Sequence, residues 1–338
     1  MMTEKVSWSY STVNTLRQCN RKYYFGSVLA NFGRKDLLRR KAYELKKMQN
    51  LVMWKGTVVD KFMETTVIPA IIEKKELDFN RLGDEAVALA KNQFDFSKFQ
   101  IYTDPTVTKT EAANEFCILD IHEIGKIYTE EELAQTYSLI RDAVLNIPTI
   151  KMPDGKLLID FLKECNLLLP NVSNWQVEVE KARVKPQMDL IAYHNWKPVV
   201  IDWKLSESYA ADYSRQLIIC GITVYLKRLE KTDKKPYEYA DIKLFEVNLL
   251  KGVVKEHVFS EEKINDMIDY INLTSKDIAL LTDTPDGAPV DIEDFELTDN
   301  EGSCKFCNYR SLCSFLLLNE NQYDEKSYFE FVQNNQLV

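Results

Sequence analysis

The chain has 338 residues, a hydrophobic content of 45%, seven cysteines and a formal net charge of −9. That apolar fraction supports a globular core. No apolar run reaches the roughly 18 residues that mark a membrane span, so no membrane partner is expected. The acidic balance has the wrong sign for a general nucleic-acid binder, so any such contact must come from local basic patches.

In chain order, Ser9 or Ser11 is expected to cap a first helix whose Val13, Leu16 and Tyr23 face inward. The following stretch holds Arg34, Lys35, Arg39, Arg40, Lys41, Lys46 and Lys47 against Asp36 and Glu44. Leu37, Leu38, Leu45 and Met48 would form the apolar stripe of a basic amphipathic helix. Its polar face reads either as a phosphate-tracking surface or as an ordinary solvated one. Residues 66–170 form a mostly helical insertion, within which Thr129-x-x-Glu132 is a capping box ahead of Leu133, Tyr137, Ile140 and Val144. His122, beside Glu123, reads as a surface or satisfied histidine.

The stretch from Trp175 to Tyr225 carries the chemistry. Three β-rich runs, Trp175–Glu180, Gln187–Tyr193 and Pro198–Leu205, predict an antiparallel meander, and a helix follows with Leu217, Cys220, Val224 and Leu229 near one face. Asp189 lies in the second run. Asp202 and Lys204 share one face of the third, because they are two residues apart. Unpaired charge at the heart of a sheet is expensive, and a hard divalent cation, Mg²⁺ or Mn²⁺, would neutralise both carboxylates. The lysine would then serve metal-assisted hydrolysis. A strand-borne Asp–Lys ion pair is the alternative reading.

Farther on, Asp241–Leu249 and Val253–Phe259 predict two more strands, and Ser260 caps a helix with Ile264, Ile268 and Ile271 at helical spacing. Thr282 to Ser303 holds eight acidic residues and no basic ones, which reads as a solvated linker. Cys304, Cys307 and Cys313 form a C-x2-C-x5-C run, and Cys19 stands near the other terminus. With no signal peptide recognisable, a cytoplasmic location is expected, where such cysteines suggest metal binding over disulfides. Zinc and an iron–sulfur cluster both suit thiolates, and one distant cysteine with a tight triplet fits a cluster stapling the termini together. Cys117, Cys165 and Cys220 read as buried free thiols. A cysteine set spanning the chain argues for one closed unit: residues 1–65, the insertion, a core over 171–281, the acidic linker over 282–303, and the triplet with its tail over 304–338.

Asp189, Asp202-Trp203-Lys204 and the helical Gln216 together resemble the PD-(D/E)XK nuclease core in its RecB-type branch. The four cysteines resemble that branch's iron–sulfur members, such as the AddB nuclease domain and the CRISPR-adaptation nucleases. The resemblance implies an α/β, restriction-endonuclease-like fold: a central mixed sheet flanked by helices, with a helical insertion and an iron–sulfur-stapled terminal region. It implies a metal-dependent DNA nuclease, of exonuclease type, acting in recombination, phage DNA processing or defence. Asp189, Asp202, Lys204 and Gln216 would be catalytic. Asp60, Asp189, Asp202 and the Trp203 carbonyl would hold Mg²⁺ or Mn²⁺. Cys19, Cys304, Cys307 and Cys313 would ligate a [4Fe-4S] cluster, and Arg34, Lys35, Arg39, Arg40 and Lys41 would contact DNA.

Two positions depart from the pattern. Asp60 stands where the family's G-x-x-x-H segment has histidine, and Cys220 stands where a tyrosine usually follows the glutamine by four residues. Glu178 or Glu180 would offer a further carboxylate. A nuclease fold that no longer cuts and scaffolds DNA ends is the alternative function, and a zinc-stapled binding protein is a third. No G-x-x-x-x-G-K-[ST] segment occurs, so any helicase or other recombination partner must be a separate chain.

Overall fold

The computed structural model describes residues 5–31, 35–207, 212–283 and 289–335. They gather into two compact units, each assembled from separate stretches of chain. The first comprises Met1–Tyr10, Lys55–Ala90 and Ala134–Lys276, and the second Ser11–Trp54, Lys91–Leu133 and Asp277–Val338. The expected insertion at 66–170 is therefore divided between the two.

Ten strands occur among the described residues: β1 (Val6–Trp8), β2 (Met48–Gln49), β3 (Ile118–Leu119), β4 (Leu167–Val172), β5 (Val177–Val179), β6 (Ala182–Val184), β7 (Met188–His194), β8 (Lys197–Lys204), β9 (Lys243–Asn248) and β10 (Val253–His257). In the first unit, a five-stranded mixed sheet has the order β10-β9-β8-β7-β4. Its β7–β8 pair is an antiparallel hairpin, whereas β8 and β9 run parallel. A parallel pair needs a crossover, and the helix Ser214–Leu229 supplies it. The centre of β8 is buried at Val199, Val200 and Ile201, as expected for a strand covered on both faces.

Burial of every residue from Leu217 to Val224 makes the crossover helix a core element rather than a one-sided amphipath, although Leu229 at its end is exposed. Gly221 permits its close approach to the sheet. A Cβ there would lie 2.7 Å from the Phe259 ring and 3.2 Å from Leu244.

The expected meander is only half present. β7 and β8 pair as expected, but the antiparallel neighbour of β7 on its other side is β4, a strand that begins within the stretch expected to be mostly helical. The Trp175–Glu180 run instead supplies β5 to a separate three-stranded sheet, order β1-β6-β5, with β1 parallel to β6. Trp8 anchors that sheet, buried and donating from Nε1 to Thr274 Oγ1 at 2.9 Å.

The second unit is mainly helical. The helix Tyr10–Gln18 buries Val13 and Leu16, and Tyr23 is buried just beyond it. Phe25, Leu45, Tyr309, Leu312 and Phe315 share one core cluster. The acidic stretch is more than a solvated loop. Phe295 is fully buried against Tyr23 and Tyr24, its carbonyl accepts from Arg21 Nε at 2.8 Å, and Arg21 itself is buried. The Thr129–Glu132 capping box is present in both directions, at 3.1 and 2.8 Å.

Candidate active site

The register of the five-stranded sheet assembles the site. Leu190 pairs with Ile201 across the hairpin, which sets Asp189 opposite Asp202 one step farther along. In the parallel pair, Asp202 is the partner of Glu246. Cross-strand partners face the same side of a sheet, so three carboxylates form a row across β7, β8 and β9. Asp60 approaches the row from the helix Leu51–Phe62, which continues into a π-helical turn at Met63–Val67.

Each carboxylate has a distinct environment. Asp189 Oδ2 accepts the Trp203 amide at 2.9 Å, and Asp202 Oδ1 accepts Gln216 Nε2 at 3.1 Å. Asp202 Oδ2 stands 2.5 Å from Lys204 Nζ as an ion pair, yet it is buried and has no partner in hydrogen-bond geometry. Asp60 Oδ1 is likewise buried without a partner. The Lys204 ammonium also lies 4.4 Å from the centre of the Tyr213 ring. Glu246 Oε2 meets His257 Nε2 at 3.0 Å.

The protonation equilibria follow from this crowding. Burial first, then the charge of Asp202, pushes Asp189 up to about 7. Burial also raises Asp202, with Lys204 opposing it, and raises Asp60 strongly, with Asp189 next in effect. Burial disfavours the Lys204 charge, but Asp202, Asp189 and Asp60 outweigh it and the net shift is upward. One ammonium thus faces three carboxylates that repel one another. Among the described residues no three His, Cys, Asp or Glu side chains stand close enough to hold a metal ion between them. Mg²⁺, however, is commonly held by one or two carboxylates while keeping several waters. The Asp189–Asp202 pair fits such a hydrated hard divalent cation, and Asp60 lies near enough to feel the Asp189 charge.

The site residues expected from sequence divide clearly. Asp60, Asp189, Asp202, Lys204 and Gln216 come together, and at Trp203 the amide is the group that engages the site. Glu178 does not join them: it is exposed and ion-paired with Lys5, while Glu180 lies in an exposed turn at φ 50°. Cys220 is buried, and burial with the Asp202 and Asp189 charges raises its thiol, keeping it neutral beside the carboxylates. Tyr225 packs against Tyr239, the rings tilted by 48° with centres 5.1 Å apart, so it does not take the missing tyrosine's place. Glu246, His257 and Tyr213 were not anticipated. Glu246 sits in a recognisable strand, but only the register of β8 against β9 brings it to Asp202.

The basic helix, Leu37–Lys47, belongs to the second unit. Lys41 is half-buried between Glu44 (2.6 Å) and Glu123 (2.8 Å), and Arg40 Nε binds Glu44 at 3.1 Å. Both cations are thus ion-paired with carboxylates of the same unit. Arg39 is half-buried and reaches the Leu29 carbonyl at 3.5 Å; Lys35 is exposed. Arg34 lies outside the described residues. His122 is half-buried against Phe94 and bonded to Ser97 Oγ at 3.0 Å, and burial lowers it to about 4.

The four cysteines share one neighbourhood of the second unit. Cys19 Sγ caps the helix Asn20–Tyr23, accepting from the Lys22 amide at 3.4 Å. The Cys307 amide bonds the Cys304 carbonyl at 3.1 Å, and Cys313 lies on the helix Arg310–Leu318. Burial raises the Cys307 and Cys313 thiols, and each is raised further by Cys19 and Cys304. Cys117 and Cys220 are buried, and Cys165 donates to the Phe161 carbonyl at 3.2 Å.

The family model of the PD-(D/E)XK nuclease superfamily matches residues 7–314. No curated protein matches the chain. No helix among the described residues is long and apolar enough to cross a membrane. A match over nearly the whole length, on a sheet whose register sets Asp189 and Asp202 beside Lys204, leads to one conclusion: the chain belongs to the PD-(D/E)XK nuclease superfamily.

Proposed function

We propose that the chain is a Mg²⁺- or Mn²⁺-dependent DNA nuclease of the RecB-type branch, acting as an exonuclease in recombination and repair, phage DNA processing or CRISPR adaptation. The observation that carries the reading is the buried Asp189–Asp202–Lys204 group with Asp60 Oδ1 left without a partner. Asp189, Asp202, Asp60 and the Trp203 carbonyl would hold the cation, which when bound supplies Lewis-acid neutralisation of phosphate charge and makes water more acidic. The residues around it prepare the rest. Gln216 fixes one Asp202 oxygen and the Trp203 amide fixes one of Asp189. Lys204, confined by the Tyr213 ring, presents its ammonium to the attacking water and the phosphate oxygens.

Cys19, Cys304, Cys307 and Cys313 would carry a structural [4Fe-4S] cluster, a reading supported by their spacing in the sequence. A brown, iron-containing protein after anaerobic purification is the expected result, and a colourless one with zinc would refute the cluster. DNA is the substrate.

The test is cleavage of end-labelled single- and double-stranded DNA beside Lys204→Ala. Metal-dependent cutting that disappears in the variant is expected. Binding without cutting by cluster-loaded protein, with either metal, would return the DNA-end scaffold in its place.

A further inference from the structure

A second site lies in the first unit, at the opposite end of the sheet from the carboxylates. A cavity of about 490 Å³ opens where the end of β7, the β7–β8 turn and the last turn of the Ser214–Leu229 helix meet. That volume falls within the range of small-ligand sites, roughly 300–1,000 Å³. Its lining combines aromatic faces (Trp175, Trp196, Tyr237) with cations (Arg228, Lys231, Lys234). Asp202 is four residues along β8 from Pro198, the partner of Tyr193, or roughly 13 Å at a strand's rise. Gln216 is eleven residues along the helix from Lys227, roughly 17 Å. The cavity is therefore separate from the catalytic row.

The charge here opposes the chain's overall balance. Glu230 binds Lys227 at 2.8 Å, while no carboxylate among the described residues pairs with Arg228, Lys231 or Lys234. The Arg228 guanidinium is held in place: Nε donates to the Lys235 carbonyl at 2.8 Å, and the plane sits 4.5 Å from the centre of the Tyr237 ring. Tyr237 and Tyr193 line the same cavity. A planar cation fixed on an aromatic ring is organised in advance for an oxyanion such as phosphate.

Trp196 gives an independent sign of a ligand. Asn195 and Trp196 form a two-residue hairpin turn with φ of 50° and 59°. Such a turn favours Asn at the first position and Gly at the second. Here a bulky side chain occupies the glycine position in left-handed backbone, where it is an outlier. Its amide is tied to Asn166 Oδ1 at 2.9 Å, and the residue is 68% exposed. Packing cannot explain a tryptophan held there facing solvent beside unpaired cations. A planar ligand stacking on it can.

We infer that this cavity binds a nucleoside phosphate, with the base stacked on Trp196 and the phosphate on Arg228, Lys231 and Lys234. The nucleotide is supplied either free or as one unit of a single strand. The site is distinct from the carboxylate row and does not depend on the cleavage reading, so binding is measured in EDTA, where metal-dependent cutting cannot interfere. The full chain is titrated with deoxyadenosine monophosphate, followed by tryptophan fluorescence, and with a fluorescein-labelled oligothymidylate, followed by anisotropy. Trp196→Ala is expected to weaken binding between about fivefold and 150-fold, the range for loss of one base–aromatic stack. Trp196→Phe should restore most of it. Lys231→Ala and Lys234→Ala should each lower the salt slope of oligonucleotide binding by about 0.7. Loss with both probes, or with either alone, supports the site, and which probe responds identifies the source. If neither probe binds, or all variants stay within twofold of wild type, the inference is overturned. All three side chains are exposed, so the variants should fold.

Discussion

Replacing Asp60 by asparagine should stabilise the metal-free protein and destabilise it relative to wild type once metal is present. Asp60 Oδ1 is buried without a partner, and burial together with Asp189 raises its carboxyl well above the ordinary range. An unsatisfied buried polar atom costs about 1–3 kcal/mol. The amide leaves that position polar and unsatisfied but removes the charge opposed by Asp189, so a gain of up to about 1 kcal/mol is expected without metal. For a domain of 150–250 residues that is roughly 2–4 °C in Tm. A cation at ten times its Kd adds about 1.4 kcal/mol to the wild type by mass action. The variant should lose most of that increment. Thermal unfolding in EDTA and in saturating MgCl₂ therefore has a crossing signature: Asp60→Asn melts higher in the first buffer and gains less in the second. A variant that melts lower in EDTA and keeps the full Mg²⁺ increment would refute the reasoning, because Asp60 would then be an ordinary structural carboxylate.

Three further outcomes follow from the packing and the charges. In EDTA, folded Asp189 holds its proton up to about pH 7, whereas the unfolded chain releases it near 3.8. The native state binds the extra proton, so stability should fall as pH rises through about 7; urea midpoints should be higher at about pH 6 than at about pH 8, with the gap shrinking in Asp189→Asn. Lys41→Ala leaves Glu44 and Glu123 facing each other in the interior and should cost about 3–5 kcal/mol in urea unfolding; a loss under about 1 kcal/mol would mean that the triad is not compensated as drawn. Gly221→Ala gains about 1 kcal/mol of helix propensity, but its Cβ meets Phe259 at 2.7 Å, an overpacking worth about 1–3 kcal/mol. A net loss of up to about 2 kcal/mol is expected, and a raised Tm would contradict it.

What was legible in the sequence was local. The β7–β8 hairpin, the Asp-x-Lys spacing, the crossover helix, the β9–β10 pair and the Thr129 capping box all rest on patterns a few residues long. What escaped depended on partners far away in the chain. β4 contains Pro170, which lacks an amide donor and breaks a strand reading; the structure tolerates it because β4 is an edge strand. β1 is three residues long, too short for a period to register. Glu246 needed the register of a parallel pair whose crossover spans the intervening helix. Lys41 looked solvent-facing because its neighbours are basic, while its second partner, Glu123, lies 82 positions away. Of the candidate site, the ligand-type residues were readable from their chemistry, and the hydrogen bonds that orient them were not.

The parallel pairing of β1 with β6 bears on how the protein is made. Val6 meets Ala182 in that sheet. Synthesis proceeds at about 5–20 residues per second, so β1 emerges roughly 10–35 s before its partner exists. During that interval it is a hydrophobic strand with open edges, and Trp8 has no Thr274 to receive its indole N–H. Contacts of such sequence separation also slow folding after release. β1 is thus made well before the strand that receives it, and aggregation during expression should respond more to the length of that wait than to the stability of the finished sheet.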